Sequence, residues 1–509
     1  MKRALFLIFF ISLSSLVCKG QEYPDISYDE VESSKDYVNG NEFQKDLLLY
    51  SKTFELSHPY YADKKHIKAL RKETRKLYKE FAEIDDIKTF RCGLQALTSH
   101  LNDGHSQVAS GLSKELIYPI YIMFDTKDSG YLLAVEDDYK EALGKRITMV
   151  NGYPTSDLMA RGQKLISGDN EIFKNSQLSQ QLQLKDFWEM CGYDDDEIVL
   201  TFEGNTSVKI SACTGHSLVI EQLDMEFDSP TAVKEVPFCY AVSDSFSICY
   251  LQFNICYDSL NYPQLGHRFD DFVEEMMAEI KDKSIQTLVV DVRNNGGGNS
   301  GLCDLLLSYL TDYDKMKNMG CKVRMSELLL KHQPNLRDVE LNDGTKPDFG
   351  DVFDYWEIKK ENPEEAASAH RINHDPDKIF KGNVIFISGR GTFSSAGLLL
   401  TLARDNNIGT IIGETSGHRP SHYGDVLSFN LPNTDTNATV SCRHITRPNE
   451  NLNNATELVP DVVLNLSDYT MEKDPAWEWI IKNHTLLKRK HAYFCFGLSL
   501  QSAHSFLCL

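Results

Sequence analysis

The sequence predicts an α/β protein. A helical N-terminal domain and a small β-rich module precede a core of parallel strands. Three observations carry this. Residues 41–101 show helical periodicity, residues 113–212 hold short β-like runs, and residues 230–470 alternate buried strands with glycine turns and amphipathic helices. At 509 residues the chain is long enough for two to four domains of about 100–200 residues each. With 41% hydrophobic and 10% aromatic residues, it can bury a sizeable core.

From the N-terminus, Lys2 and Arg3 precede an apolar run, Ala4 to Val17, and Cys18-Lys19-Gly20. That pattern reads as a secretory signal peptide, residues 1–20, too short to span a bilayer. Acylation of Cys18 is the rival reading. The expected location is therefore secreted or periplasmic. Residues 21–112 form the helical domain, where Ile67, Leu70, Leu77 and Phe81, then Leu94, Leu97 and Leu101, recur at helical spacing. Asn102-Asp103-Gly104 ends it with a turn.

The β-rich module, 113–215, contains LIYPIYIMF, GYLLAV, RITMVNG and EIVLTF around one helical stretch near 155–166. The core, 216–487, starts with an alternating Phe246, Ile248 and Tyr250, and a helix over 265–281 follows. The continuous apolar runs Thr287–Val292, Val384–Ser388 and Ile408–Gly413 read as strands covered on both faces. Helices near 300–310 and 395–404 follow the first two. Parallel βαβ units bind ligands beyond the carboxyl ends of their strands, which points to turns 293–298 and 389–394. Residues 488–509 form a C-terminal extension, apolar but interrupted.

The net charge of −21, from 53 Lys+Arg and 74 Asp+Glu, argues against a nucleic-acid partner, which needs a basic face. Removing Cys18 leaves 11 cysteines, an odd number, many within apolar runs; most read as small buried residues rather than a disulfide framework. No Cys/His spacing suggests zinc, and neither metal nor cofactor is expected. Asn205, Asn437, Asn454, Asn465 and Asn483 lie in glycosylation sequons, which matter only in a host that glycosylates secreted proteins.

Three segments can carry chemistry. In Asp291-Val292-Arg293-Asn294-Asn295-Gly296-Gly297-Gly298, three glycines after a buried strand can turn N–H groups toward an oxyanion; a plain tight turn fits them too. In Gly391-Thr392-Phe393-Ser394-Ser395-Ala396-Gly397, Ser394 stands where strand hands over to helix. That place suits a nucleophile or an ordinary N-cap. In Leu101-Asn102-Asp103-Gly104-His105-Ser106, His105 can serve as a base or be a surface residue.

Together DVRNNGGG, TFSSAG and IIGET resemble the S41 peptidase family, which includes the C-terminal processing and tricorn-like serine proteases. The resemblance covers residues 245–465, and LNDGHS extends it toward the tricorn-like branch. RITMVNGYP is similar to a late strand and turn of a PDZ domain. The resemblance implies a ClpP/crotonase-like core, Ser394 as nucleophile and His105 as general base. It also implies an oxyanion hole from Ser395 and from Gly296 or Gly297.

In the C-terminal processing branch the base is a lysine. Arg419 stands at that place, and a guanidinium stays protonated, so serine–histidine chemistry is favoured. Gly104 occupies the position where the tricorn-like branch has an orienting serine. Asp103, Ser106 and Glu414 remain candidates for the third member, and His418 or His422 could replace His105. Tyr423-Gly424-Asp425 and Arg447-Pro448 resemble structural or substrate-groove features of the family. The expected activity is a secreted serine endopeptidase acting on polypeptides. The alternatives are a non-catalytic relative that binds a peptide or hydrophobic ligand and, less favoured, a crotonase-like acyl-CoA enzyme. Oligomeric state is not legible.

Overall fold

A computed structural model describes residues 23–109, 111–125, 129–214, 220–222, 236–359, 370–465 and 474–483. The leader, Cys18 and the C-terminal extension lie outside the described residues. The chain forms two compact units, each built from non-contiguous segments. The first comprises residues 1–223, 319–363 and 417–456, and the second comprises 224–318, 364–416 and 457–509.

In the first unit two short helices, Asp29–Glu32 and Lys35–Asn39, precede three longer ones, Glu42–Ser57, Lys64–Glu80 and Ile87–Thr98. Each of the longer three starts at a side-chain cap, from Asn41, Asp63 and Asp86 respectively. Asn41 and Gln44 complete a capping box, which satisfies two otherwise orphaned backbone donors. The apolar stripe read from the sequence is buried here: Leu70, Phe81, Leu94, Leu97 and Leu101. It packs with Tyr50, Phe54 and Phe90 against Leu427, Phe429 and Val440 of a four-stranded antiparallel sheet. That sheet is made by Gly320–Arg324, Val352–Asp354, His422–Leu431 and Thr436–Thr446. Sequence continuity places these strands within one core, 216–487. Their apolar faces are instead covered by the N-terminal helices, so they belong to the first unit.

Residues 113–215 carry the expected strands, including Ile120–Phe124, Gly130–Glu136, Arg146–Val150 and Glu197–Phe202. They also hold three helices where one was expected: Thr155–Gln163, Glu171–Gln181 and Lys185–Met190. Glutamine and serine dilute the apolar residues of the second, and the third is only six residues long, too short to show a period. Even so, Phe173, Leu178, Phe187 and Trp188 are buried.

The second unit is built on a six-stranded sheet, ordered by strands 238–243, 248–253, 287–291, 383–388, 410–413 and 462–463. The first pair is antiparallel and the remaining neighbours are parallel. Thr287–Asp291 and Ile248–Phe253 are buried throughout, as continuous apolar strands covered on both faces should be. Phe246 falls outside the strand, partly exposed in the preceding turn. Helices Phe269–Asp282, Gly301–Ser308 and Ser395–Asp405 lie close to their expected positions. None of the nine cysteines among the described residues forms a disulfide, and six are buried. No helix of the described residues is long and apolar enough to cross a membrane.

Candidate active site

The second unit presents the two glycine-rich turns side by side at the carboxyl ends of paired parallel strands, Thr287–Asp291 and Asn383–Ser388. Ser394 directly precedes helix Ser395–Asp405 with φ +50° and ψ −125°. A non-glycine residue rarely adopts this conformation, and such strain concentrates at functional positions. Although Ser394 occupies the N-cap position, its side chain makes no capping hydrogen bond, so the capping role does not account for it.

The DVRNNGGG turn lies directly against Ser394. Gly297 has φ +104°, and a Cβ there would sit 2.6 Å from the Ser394 Cβ and 3.0 Å from the Ser395 nitrogen. Only glycine permits that approach. Asn295 locks the two turns together. Its Nδ2 donates to Phe253 O at 2.9 Å, its Oδ1 accepts the Gly297 N–H at 2.9 Å, and its carbonyl accepts the Phe393 N–H at 3.0 Å. Thr392 adds a bond from Oγ1 to Val292 O at 2.7 Å, and Ser395 Oγ donates to Gly298 O at 2.6 Å. The Gly297 amide is therefore engaged. The amides of Gly296 and Ser395 have no partner among the described residues. Below the turn, Arg293 bonds Asp291, Asp474 and the Tyr250 hydroxyl. Burial works against its charge, but Asp291, Tyr250 and Asp474 hold the guanidinium pKa well above its ordinary value.

Glu414 also belongs to this unit. It pairs with Arg390 at 2.5 Å and is committed to that guanidinium. The unit holds a histidine–carboxylate pair that sequence reasoning missed: His370 Nε2 lies 3.0 Å from Asp258 Oδ2. Asp258 also accepts the N–H groups of Phe269 and Leu260, which makes it a brace for the chain before helix Phe269–Asp282.

The first unit holds His105, in the loop that follows the helical domain. Thr439 Oγ1 donates to the His105 carbonyl at 2.8 Å, and Ser441 N donates to Ser106 Oγ at 3.1 Å, so strand Thr436–Thr446 fixes the loop. Asp103 is fully buried beneath it. Its Oδ1 accepts the His105 N–H at 2.9 Å and lies 3.7 Å from His105 Nδ1. Its Oδ2 accepts the Ser106 hydroxyl and lies 3.2 Å from His58 Nε2. Tyr60 N–H donates to His58 Nδ1, which leaves His58 Nε2 as the donor toward Asp103.

Burial alone would raise the Asp103 pKa, but bonds and charge from His105 and His58 hold it well below the usual carboxylate range. Burial likewise pulls His105 down, and Asp103, Asp169 and Asp425 more than reverse this, so its pKa is raised. His418 and His422 are different. Both are buried with rings 4.3 Å apart, and His422 stacks 5.9 Å from His105. Desolvation and neighbouring imidazoles push His418 well below the ordinary value and His422 to about 3, so both stay neutral.

The structure thus gathers Ser394, Ser395, Gly296 and Gly297 in one unit and Asp103, His105 and Ser106 in the other. Ser106 bonds Asp103 rather than His105. Arg419, where a lysine base would stand, directs its backbone N–H to Asp169 Oδ2 at 3.1 Å. Among the described residues, one cluster of metal-ligand types exists, Asp103, His105 and Asp169, with candidate atoms within 4.8 Å. Its carboxylate oxygens already accept hydrogen bonds, and no metal is assigned to it.

Residues 254–464 match the family model described as Peptidase family S41. Over that stretch, 211 of the 509 residues, the chain is similar to peptidase family S41. At that level it is a serine-type peptidase, a hydrolase of peptide bonds. No curated protein sequence matches this chain. Among solved structures its fold is similar to that of mature CPAF, at 14% identity and TM-score 0.61, over 88% of this chain and 98% of that chain. Mature CPAF complexed with lactacystin gives 15% identity and TM-score 0.60, over 88% and 99%. The photosystem II D1 C-terminal processing protease gives 14% and 0.41, over 83% and 93%. At these identities the likeness concerns fold alone.

Proposed function

We propose that this chain is a serine endopeptidase in which Ser394 attacks the scissile carbonyl and His105 takes its proton. The Gly296 and Ser395 amides hold the oxyanion, and Asp103 orients His105. The strained Ser394 backbone, seated against Gly297 with no capping role, is the observation that carries this reading. A serine at a helix start gains from the helix dipole as negative charge develops, and each oxyanion donor is worth about 10²–10³ in kcat. Pairing Ser394 with His105 rests on the motif resemblance and on the chemistry of each half. Of the three histidines weighed as base, His105 alone combines carboxylate support with partial exposure, while His418 and His422 are buried and held neutral.

The polypeptide enters extended, and strand addition to the 113–215 module, if PDZ-like, would supply a substrate hold. Export belongs to the same reading and rests on the Lys2 to Gly20 leader. N-terminal sequencing of the mature protein distinguishes cleavage after Gly20 from lipidation at Cys18.

The deciding experiment follows hydrolysis of an unfolded protein by wild type, Ser394→Ala, His105→Ala, His370→Ala and Arg419→Ala. The expected result is loss in the first two variants and retention in the others. An inert wild type moves the non-catalytic ligand-binding reading to first place. Activity in His105→Ala with loss in His370→Ala transfers the base to the second unit.

A further inference from the structure

Residues 166–170, Ile-Ser-Gly-Asp-Asn, follow helix Thr155–Gln163. In the structure this turn grips the His105 loop from several sides. Ser167 Oγ donates to the Asp103 carbonyl at 2.8 Å. Gln107 Nε2 donates to the carbonyls of Gly104 at 2.9 Å and Ser167 at 3.2 Å. Asp169, 2% exposed, is at the centre. Its Oδ1 accepts the Gly104 N–H at 2.7 Å, the residue directly before His105, and its Oδ2 accepts the Arg419 N–H at 3.1 Å. His418 Nδ1 lies 3.7 Å from the same Oδ2. One carboxylate therefore ties the His105 loop to segment 417–422, from which His418 and His422 pack around the imidazole.

Burying a carboxylate is costly, and the Gly104 and Arg419 N–H groups offset that cost only in this geometry. Gly104 has no side chain of its own to fix the loop, and it stands where the family resemblance leads one to expect an orienting serine. We propose that Asp169 is a positioning residue, which sets the orientation of His105 by anchoring Gly104 and Arg419 with one carboxylate. This inference rests on the reading of His105 as general base. Asp103 holds the imidazole from beneath, and Asp169 holds the backbone that presents it.

The groups facing His105 are Asp103, Asp169, Asp425, His418 and His422. Of these the two buried histidines are neutral, so the carboxylates set its charge. Asp169 is itself pushed up to about 7, by burial first and by Asp103, with His105 and its two backbone bonds opposing. Replacing it with a neutral amide removes negative charge from the imidazole's surroundings. The base works in its neutral form, so the acid limb of the rate profile should move to lower pH.

The test compares wild type, Asp169→Asn, Asp169→Glu and His105→Ala on an unfolded protein substrate. Thermal midpoints and kcat/KM profiles are recorded from pH 5 to 9. Asp169→Asn is expected to lower kcat at pH 8 by about 10- to 100-fold with KM within about threefold, as a misoriented base does, and to shift the acid limb downward. Asp169→Glu, which keeps the charge but displaces it, is expected to lose kcat with its limb near that of wild type. Wild-type kcat and an unmoved limb in Asp169→Asn, with His105→Ala inactive, overturn this inference alone. A lowered midpoint with an unmoved limb does the same, since it marks a structural brace. If Asp169→Asn does not fold, wild-type kcat in Asp169→Glu overturns it. Activity retained in His105→Ala overturns the general-base reading, and this inference with it.

Discussion

The two regions to which the chemistry is proposed to belong are built from different materials. In the second unit the Ser394 region is made of backbone: a strained φ, glycines that admit close approach, and N–H groups aimed by neighbouring turns. In the first unit the His105 region is made of buried side-chain charge, with Asp103 and Asp169 beneath the loop and neutral imidazoles beside it. The contrast teaches where each half is vulnerable. A backbone-built half responds to Cβ atoms and φ. A charge-built half responds to pH and to amides substituted for carboxylates.

The sharpest cut removes the proposed nucleophile. Ser394→Gly is expected to lose on the order of 10⁴-fold or more in kcat while being no less stable than wild type, because glycine accepts φ +50° without strain. Denaturant unfolding beside an activity assay checks both parts, and a clear loss of stability would sink the strain argument.

Next is Asp103→Asn, expected to cost about 10²–10⁴ in kcat and to shift the acid limb downward, as loss of a carboxylate under a catalytic histidine does. The pH dependence of stability has a definite sign here. Asp103 is depressed in the fold, so its contribution is present above its unfolded pKa of about 4 and fades as pH falls below it. Urea midpoints between pH 3 and 7 should therefore depend less on pH in the variant.

Third is a glycine pair. Gly297→Ala should lose about 100-fold in activity and about 1–3 kcal/mol of stability, since its Cβ meets Ser394. At Gly296 a Cβ meets nothing within 4 Å, and Gly296→Ala should stay within about threefold of wild type. Equal losses at both positions would break the backbone account. The smallest effect is expected for Glu414→Gln, about 1 kcal/mol from its ion pair with Arg390 and little change in rate. A loss comparable to Asp103→Asn would give the Ser394 half a carboxylate of its own.

Much of this was legible in the residues. The apolar runs TLVVD and VIFIS, each followed by a glycine turn, gave parallel strands and the place of Ser394. The stripe from Ile67 to Phe81 gave a helix with one buried side. Other features depend on contacts that no local pattern encodes. Asp169 sits in an ordinary-looking turn and gains its place only from Gly104 and Arg419, far away in sequence. The backbone strain at Ser394 leaves no mark on composition. Strands 422–431 and 436–446 look like a continuation of the core because the chain runs straight into them, yet the N-terminal helices cover their apolar faces. Helix 171–181 hid behind glutamines, and helix 185–190 is too short to show a period.

The segmented build has a consequence for synthesis. The chain passes between its two units at residues 223/224, 318/319, 363/364, 416/417 and 456/457. A nascent polypeptide therefore cannot complete the first unit until residue 456 has emerged, long after the helices that form its beginning. Residues 422–431 and 436–446, which cover those helices, and Arg419, which anchors Asp169, are among the late arrivals. A ribosome that stops early releases a chain with its His105 loop unsupported. On the proposed assignment of His105 as base, peptidase activity is thus withheld from unfinished copies by the order in which the residues are made.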